Sequence, residues 1–191
     1  VQGDLDFVKL EAWYAGMQDT FNSYTFAATS NLDLAENAKI GLEARYVNLK
    51  LNNKVIQTTS GLPRGPLTSD DNSMFRVAVD GKFSIVNARL AYTKTGKDGG
   101  VTALDQDAKN TSLGWNISSN AVSDADYIQA ALGVDILDNL NFTAHYGKLT
   151  SKEQAVGAKF FGLDDLEAEE VYGQLTYKMS KNLSTYLRYG N

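Results

Sequence analysis

The stretch "NAKIGLEARYVNLKL" (37–51) alternates. Ile40, Leu42, Ala44 and Tyr46 share one parity, and Lys39, Glu43 and Arg45 share the other. Side chains of a strand point to opposite faces with period two, so this strand has an oily face and a charged face. Two architectures use such a strand. A soluble sheet turns the oily face to a core. A membrane barrel turns it to lipid and leaves the charged face to line a wet interior.

Composition narrows the choice. The chain has 191 residues, a net charge of −5 and no cysteine. An acidic chain does not offer the basic surface that nucleic acid requires, so nucleic acid is excluded as a partner. Without cysteine there is no disulfide framework, thiolate nucleophile or zinc–thiolate site. No run of about 18 apolar residues occurs, so no membrane helix is expected. The first residues lead straight into a strand pattern, so the chain reads as mature, cleaved or a fragment.

Period-two segments dominate. They predict nine strands, near 5–17, 22–32, 38–51, 73–80, 83–94, 126–136, 140–149, 169–178 and 183–190. Short turns are expected at "LAEN" (34–37), "DGK" (80–82), "ILDN" (136–139) and "MSKN" (179–182). Long loops are expected at 52–72, 95–125 and 150–168. Short and long alternate after the third strand, and the connection near Gln18–Phe21 must fall on the long-loop side although it is short. A soluble sandwich has no reason to gather its long loops at one end. An outer-membrane barrel has short turns at one end and long loops at the other. The loops are polar and rich in Gly, Ser, Asn and Asp, and burying them would orphan backbone groups.

An internal repeat agrees. "ENAKIGLEARY", "DNLNFTAHY" and "KNLSTYLRY" each leave a short turn and end on a cation or imidazole followed by tyrosine: Arg45-Tyr46, His145-Tyr146 and Arg188-Tyr189. In "FSIVNARLAY", Arg89 and Tyr92 fall on the same two faces. Tyrosines spaced in this way reach the far edge of an apolar band about 25 Å tall, where an amphipathic ring is favoured. Tyr14, Tyr46, Tyr92, Tyr146 and Tyr189 are the expected aromatic girdle. Lys39, Glu43, Arg45, Arg76, Arg89, His145, Lys178 and Arg188 are the expected pore-lining residues. The arginines share their parity with few carboxylates, which would attract anionic solutes. The alternative is that they pair with Glu11, Glu43 and Asp135 and stiffen the wall.

Chemistry is not signalled. His145 is the lone histidine, no Ser-His-Asp spacing is visible, and "GKDGG" lacks the GK[ST] and following helix of a phosphate loop. No enzyme, cofactor or metal site is expected. The acid clusters Asp70-Asp71, Asp105 with Asp107, and "LDDLEAEE" (163–170) read as solvated loop charge, with divalent-cation binding as the alternative. "AVGAKFFGL" (155–163) reads as a short amphipathic turn.

The fragment "AWYAGMQDTFNSYTFAATSNLDLAENAKIGLEARY" resembles the OprD-type substrate-selective porins and the related major outer membrane proteins of Campylobacter and its relatives. Trp13-Tyr14, Asp19, Tyr24 and Arg45-Tyr46 carry the likeness, and "MFRVAVDGKFSIVNARLAYTKTGKDGG" and "VYGQLTYKMSKNLSTYLRYG" follow the same hairpin pattern. The resemblance implies an 18-stranded transmembrane antiparallel β-barrel in the outer membrane of a Gram-negative bacterium. It also implies a homotrimer in contact with membrane lipid and lipopolysaccharide, passing small hydrophilic solutes and ions by passive diffusion. An arginine-rich pore wall is typical of the family, and Arg45, Arg89 and Arg188 match it. Nine strands and an ending at "LRYGN" depart from a complete barrel. Residues 1–191 are therefore read as one barrel domain that is the second half or so of a longer protein, with the inward, pore-narrowing loop outside this sequence. Two other readings stand beside it: a barrel of about ten strands whose loops act as an adhesin or receptor, and a soluble β-sandwich or lipocalin-like carrier.

Overall fold

A computed structural model of the chain describes residues 1–59, 69–103, 108–151 and 166–191. Within them, ten strands form one sheet in chain order, each antiparallel to the next. They are β1 (Gln2–Leu5), β2 (Val8–Met17), β3 (Phe21–Ala35), β4 (Ala38–Leu51), β5 (Asp71–Phe83), β6 (Val86–Thr95), β7 (Ala125–Leu137), β8 (Leu140–Ser151), β9 (Leu166–Ser180) and β10 (Leu183–Gly190). A short helix, α1 (Asn53–Thr59), follows β4. The edges β1 and β10 do not pair with each other.

The expected first strand is in fact a hairpin, so there are ten strands where nine were expected. Asp6 and Phe7 turn the chain, with Asp6 at φ 38°. Aspartate tolerates the left-handed region because its short side chain bonds locally, and no glycine marks the place. The expected turn at Asp80–Lys82 is also corrected. These residues continue β5, where Gly81 faces Ile40, and the chain reverses at Ser84-Ile85, with Ser84 at φ 52°. With both corrections the connections sort without exception. Two-residue turns at 6–7, 36–37, 84–85, 138–139 and 181–182 lie at one end, and the strand ends that flank 18–20, 52–70, 96–124 and 152–165 lie at the other. The predicted segment 155–163, together with Asp105, Asp107 and Asp164, lies outside the described residues.

One face of the sheet is oily and bare. Its cross-strand rows include Leu42–Val79–Leu90–Ala130, and Leu132 on it is 60 % exposed. On β4 the outward positions run from Ala38 to Tyr46 without a charge. On β5 they run from Phe75 to Phe83, on β7 from Ile128 to Ile136, and on β9 from Val171 to Met179. Each run is eight steps, about 26 Å along the strand and roughly 20 Å after a tilt of about 40°. That is close to the apolar height of an outer-membrane barrel. Two residues beyond each run the same face turns polar, at Asn48, Ser73, Asp126 and Glu169. An open apolar surface of this extent is far larger than water tolerates on a soluble monomer. The soluble reading required this face to be a core, and no described element covers it.

Candidate pore-lining face

The opposite face carries the charge. The register places all eight expected residues on it: Lys39, Glu43 and Arg45 from β4, Arg76 from β5, Arg89 from β6, His145 from β8, Lys178 from β9 and Arg188 from β10. Tyr14, Tyr46, Tyr92, Tyr146 and Tyr189 all fall on the oily face. Tyr46, Tyr92 and Tyr146 are each followed two positions on by Asn48, Lys94 and Lys148, so each marks the end of an apolar run.

A long loop lies across the charged face. Within the connection 96–124, residues 112–119 return on themselves as a tight hairpin. Ser119 N donates to Ser112 O at 3.0 Å, Gly114 N donates to Ile117 O at 2.7 Å, and Leu113 bridges Ser118. Its base is tied by Val101 N to Asn72 Oδ1 at 3.0 Å and by Thr102 N to Asn120 Oδ1 at 3.0 Å. The hairpin then touches strand after strand. Thr25 of β3 donates to Asn110 Oδ1 at 3.3 Å, and Arg76 of β5 donates to Thr111 O at 2.8 Å. Thr93 of β6 meets Ser112 at 2.6 Å, and Gln129 of β7 donates to Leu113 O at 2.9 Å. Glu170 of β9 accepts from Trp115, Asn116 and Ile117. From β3 to β9 is six strand spacings, about 29 Å on a flat sheet. A folded-back hairpin cannot span that distance, so the sheet curls around it and the charged face is concave. The expectation that an inward loop lies outside this sequence is therefore corrected.

The loop divides the expected lining residues. Arg45 and Arg76 face each other across β4 and β5 and are buried beneath it. Glu43 holds both: its Oε1 accepts from Arg76 Nη2 at 2.6 Å, Arg76 Nε at 3.2 Å and Arg45 Nε at 3.4 Å. Its Oε2 accepts from Arg89 Nη2 at 3.4 Å. Arg89 also grips Asp80 at 2.7 and 2.8 Å and keeps about two-fifths of its side chain open. Lys39 pairs with Asp33, and Lys82 with Asp135. The sequence reading that few carboxylates share this face is corrected: beside the expected Glu43 and Asp135, the register adds Asp33, Asp80 and Glu170. Asp80 lies in a stretch that reads as a turn and Glu170 at the end of one that reads as an acidic loop, so spacing alone does not put them on this face.

Arg188 is set differently. It donates to Gln174 Oε1 at 2.6 Å and lies 4.8 Å over the ring of Tyr186 and 5.6 Å from that of Tyr172. Tyr172 stacks on His145 at 4.5 Å and meets Trp115 edge-on at 5.3 Å. Among the described residues no carboxylate forms an ion pair with Arg188, so its charge is the least neutralised of the four guanidinium groups. A cleft of about 320 Å³ between hairpin and wall is lined by Arg76, Arg89, Ser112, Gln129, His145 and Tyr172.

The sequence held a signal for the inward loop. The alternation of residues 37–51 changes sense at Tyr46. Before it the inward residues are Lys39, Glu43 and Arg45; after it they are Val47, Leu49 and Leu51, all buried. On β8, inward His145 gives way to buried Leu149, and outward Tyr146 gives way to Lys148. A strand that becomes apolar inside and polar outside has left the membrane and has protein, not water, on its inner face.

No family model matches the chain, and no curated protein matches it. Solved structures do. OccK2 (OpdF) of Pseudomonas aeruginosa aligns with 100% of this chain and 52% of its own, at 14% identity and a TM-score of 0.71. OccAB3 of Acinetobacter baumannii aligns with 98% and 48%, at 14% identity and 0.70. The outer membrane protein OprD of Pseudomonas aeruginosa aligns with 96% and 50%, at 16% identity and 0.67. The fold is thus that of part of an OprD/Occ-type transmembrane barrel, and the chain spans about half the length of these structures.

Proposed function

We propose that the chain forms about half the wall of an outer-membrane porin through which small hydrophilic solutes diffuse without chemistry. The supporting observation is a curled sheet with an uncharged band outside and charge inside, and with a long loop folded across the charged side. The expected residence is the bacterial outer membrane, with acyl chains against the oily face, Tyr46, Tyr92 and Tyr146 at its boundary and lipopolysaccharide around the loops. The homotrimer that the sequence resemblance implies is part of this proposal and is tested by native electrophoresis of the detergent-solubilised protein. The adhesin reading required ten strands to close on themselves, whereas β1 and β10 stay unpaired. Conductance of the assembled barrel in a planar bilayer tests the proposal, and a sealed membrane at saturating protein refutes it.

Solutes that carry a negative charge are favoured where cations are left over. Arg89 shares its charge with Glu43 and Asp80, and Arg45 is buried against Glu43. Arg188 is part-buried and has no carboxylate partner among the described residues, so it should dominate anion attraction. Replacing Arg188 by Gln is expected to shift the reversal potential in a salt gradient toward cations. Arg89→Ala gives a smaller shift, and Arg45→Ala gives almost none and acts on stability instead. An equal shift from Arg45 and Arg188 would remove this ordering.

A further inference from the structure

We infer that Glu170 is the positioning residue that fixes the inward hairpin across the lumen; the inference rests on the porin reading for its consequence, not for its geometry. The side chain rises from β9 and is buried. Its carboxylate accepts three successive backbone N–H groups of the hairpin: Trp115 to Oε1 at 3.0 Å, and Asn116 and Ile117 to Oε2 at 2.8 and 3.3 Å. Tyr127 from β7 donates to the same Oε1 at 3.5 Å. Bonds from N–H groups to an ionised acceptor are among the strong ones, and three converging donors hold a carboxylate as a nest holds an anion.

Two glycines make the seat. A Cβ on Gly114 would overlap Glu170 Oε1, and one on Gly147, which pairs with Glu170 across the ladder, would stand 3.2 Å from both its Cγ and Oε1. The other ties to the wall, through Thr25, Arg76, Thr93 and Gln129, grip the hairpin along one flank and at its stem. Among the described residues Glu170 supplies the wall's hydrogen bonds to the tip, where Trp115 also meets Tyr172 and Ile117 packs against Tyr127 and Leu149. A hairpin held at the stem but not at the tip swings, and its swing changes the aperture.

The test uses the assembled channel. Glu170→Ala is expected to leave the unfolding midpoint of the barrel nearly unchanged, yet to turn a quiet open-channel current into one that fluctuates between substates. Amide exchange at Ser112 and Ser119, which Glu170 does not touch, should quicken roughly 10- to 100-fold, the factor sustained by one or two charge-assisted hydrogen bonds. Gly114→Ala, which ejects the tip without altering the wall, should give the same noise; it also serves if Glu170→Ala does not fold. A Thr93→Cys/Ser112→Cys disulfide, placed where the two hydroxyls are 2.6 Å apart in a chain otherwise without cysteine, pins only the stem, so adding it to Glu170→Ala should leave the noise in place; quiet current on oxidation would overturn the assignment to the tip. Unchanged noise and unchanged loop exchange in both glutamate and glycine variants overturn the inference. Faster loop exchange in a protein that never conducts keeps the latch and overturns the porin reading instead.

Discussion

Leu132→Arg is expected to destabilise the barrel in lipid by about 2–4 kcal/mol, the cost of a guanidinium near the bilayer midplane. Leu132 is the middle of the uncharged outward run on β7 and faces Ala88 and Ala144 on the neighbouring strands. If this face met water, an exposed leucine could be exchanged for arginine at a cost within about 0.5 kcal/mol. The neighbouring Thr143 lies one position along the register on the opposite face, paired with Gly133. Thr143→Arg should therefore cost less than about 1 kcal/mol, because the new charge stands in the wet interior. Guanidinium unfolding from phospholipid vesicles measures both. Equal small costs at the two sites would mean that the oily face does not meet lipid, and a large cost at Thr143 alone would mean that the faces are exchanged.

The fold was legible because a lipid-facing strand obeys one simple rule over its whole length. Period two, tyrosine at one end and a polar turn at the other recur in β4, β8 and β10, so nearly every strand could be placed within a few residues. The errors arose where a turn used neither glycine nor proline. Ser84-Ile85 has neither glycine nor proline, while Gly81, inside β5, resembles a turn residue and is not one. Asp6-Phe7 was hidden for the same reason inside an unbroken strand pattern. The charged face was legible as a face, since parity alone fixes it. Its pairing was not. That Glu43 holds three arginines depends on β4, β5 and β6 lying side by side in a particular register, and on a hairpin from 96–124 sealing Arg45 and Arg76 from water. Sequence spacing carries no information on either. The change of sense at Tyr46 does announce that protein fills the interior above it. It becomes meaningful only when the outward and inward residues are read together, because Val47, Leu49 and Leu51 alone look like ordinary strand residues.

Glu43→Ala should be among the costliest single substitutions on the inner face, at about 3–5 kcal/mol. Arg45 and Arg76 stand directly opposite each other and are both buried. The Glu43 carboxylate between them is what makes that juxtaposition tolerable. Removing it leaves two guanidinium groups out of water, repelling each other, with Arg89 freed toward the lumen as well. Replacing both members of the tightest pair acts differently. In Glu43→Ala/Arg76→Met one buried cation is gone along with the anion, so the double variant should be less destabilised than the sum of the single ones by more than about 1 kcal/mol. Two readouts then separate the wall from the lumen. Unfolding reports the cost of uncompensated burial. The reversal potential reports the charge a passing ion meets: it should move toward anions in Glu43→Ala, because Arg89 loses one of its two carboxylates. It should return most of the way when Asp80, the remaining partner, is left intact and Arg89 is also changed to Gln. A Glu43→Ala variant as stable as the parent would mean that water reaches Arg45 and Arg76, and so that the hairpin does not cover them.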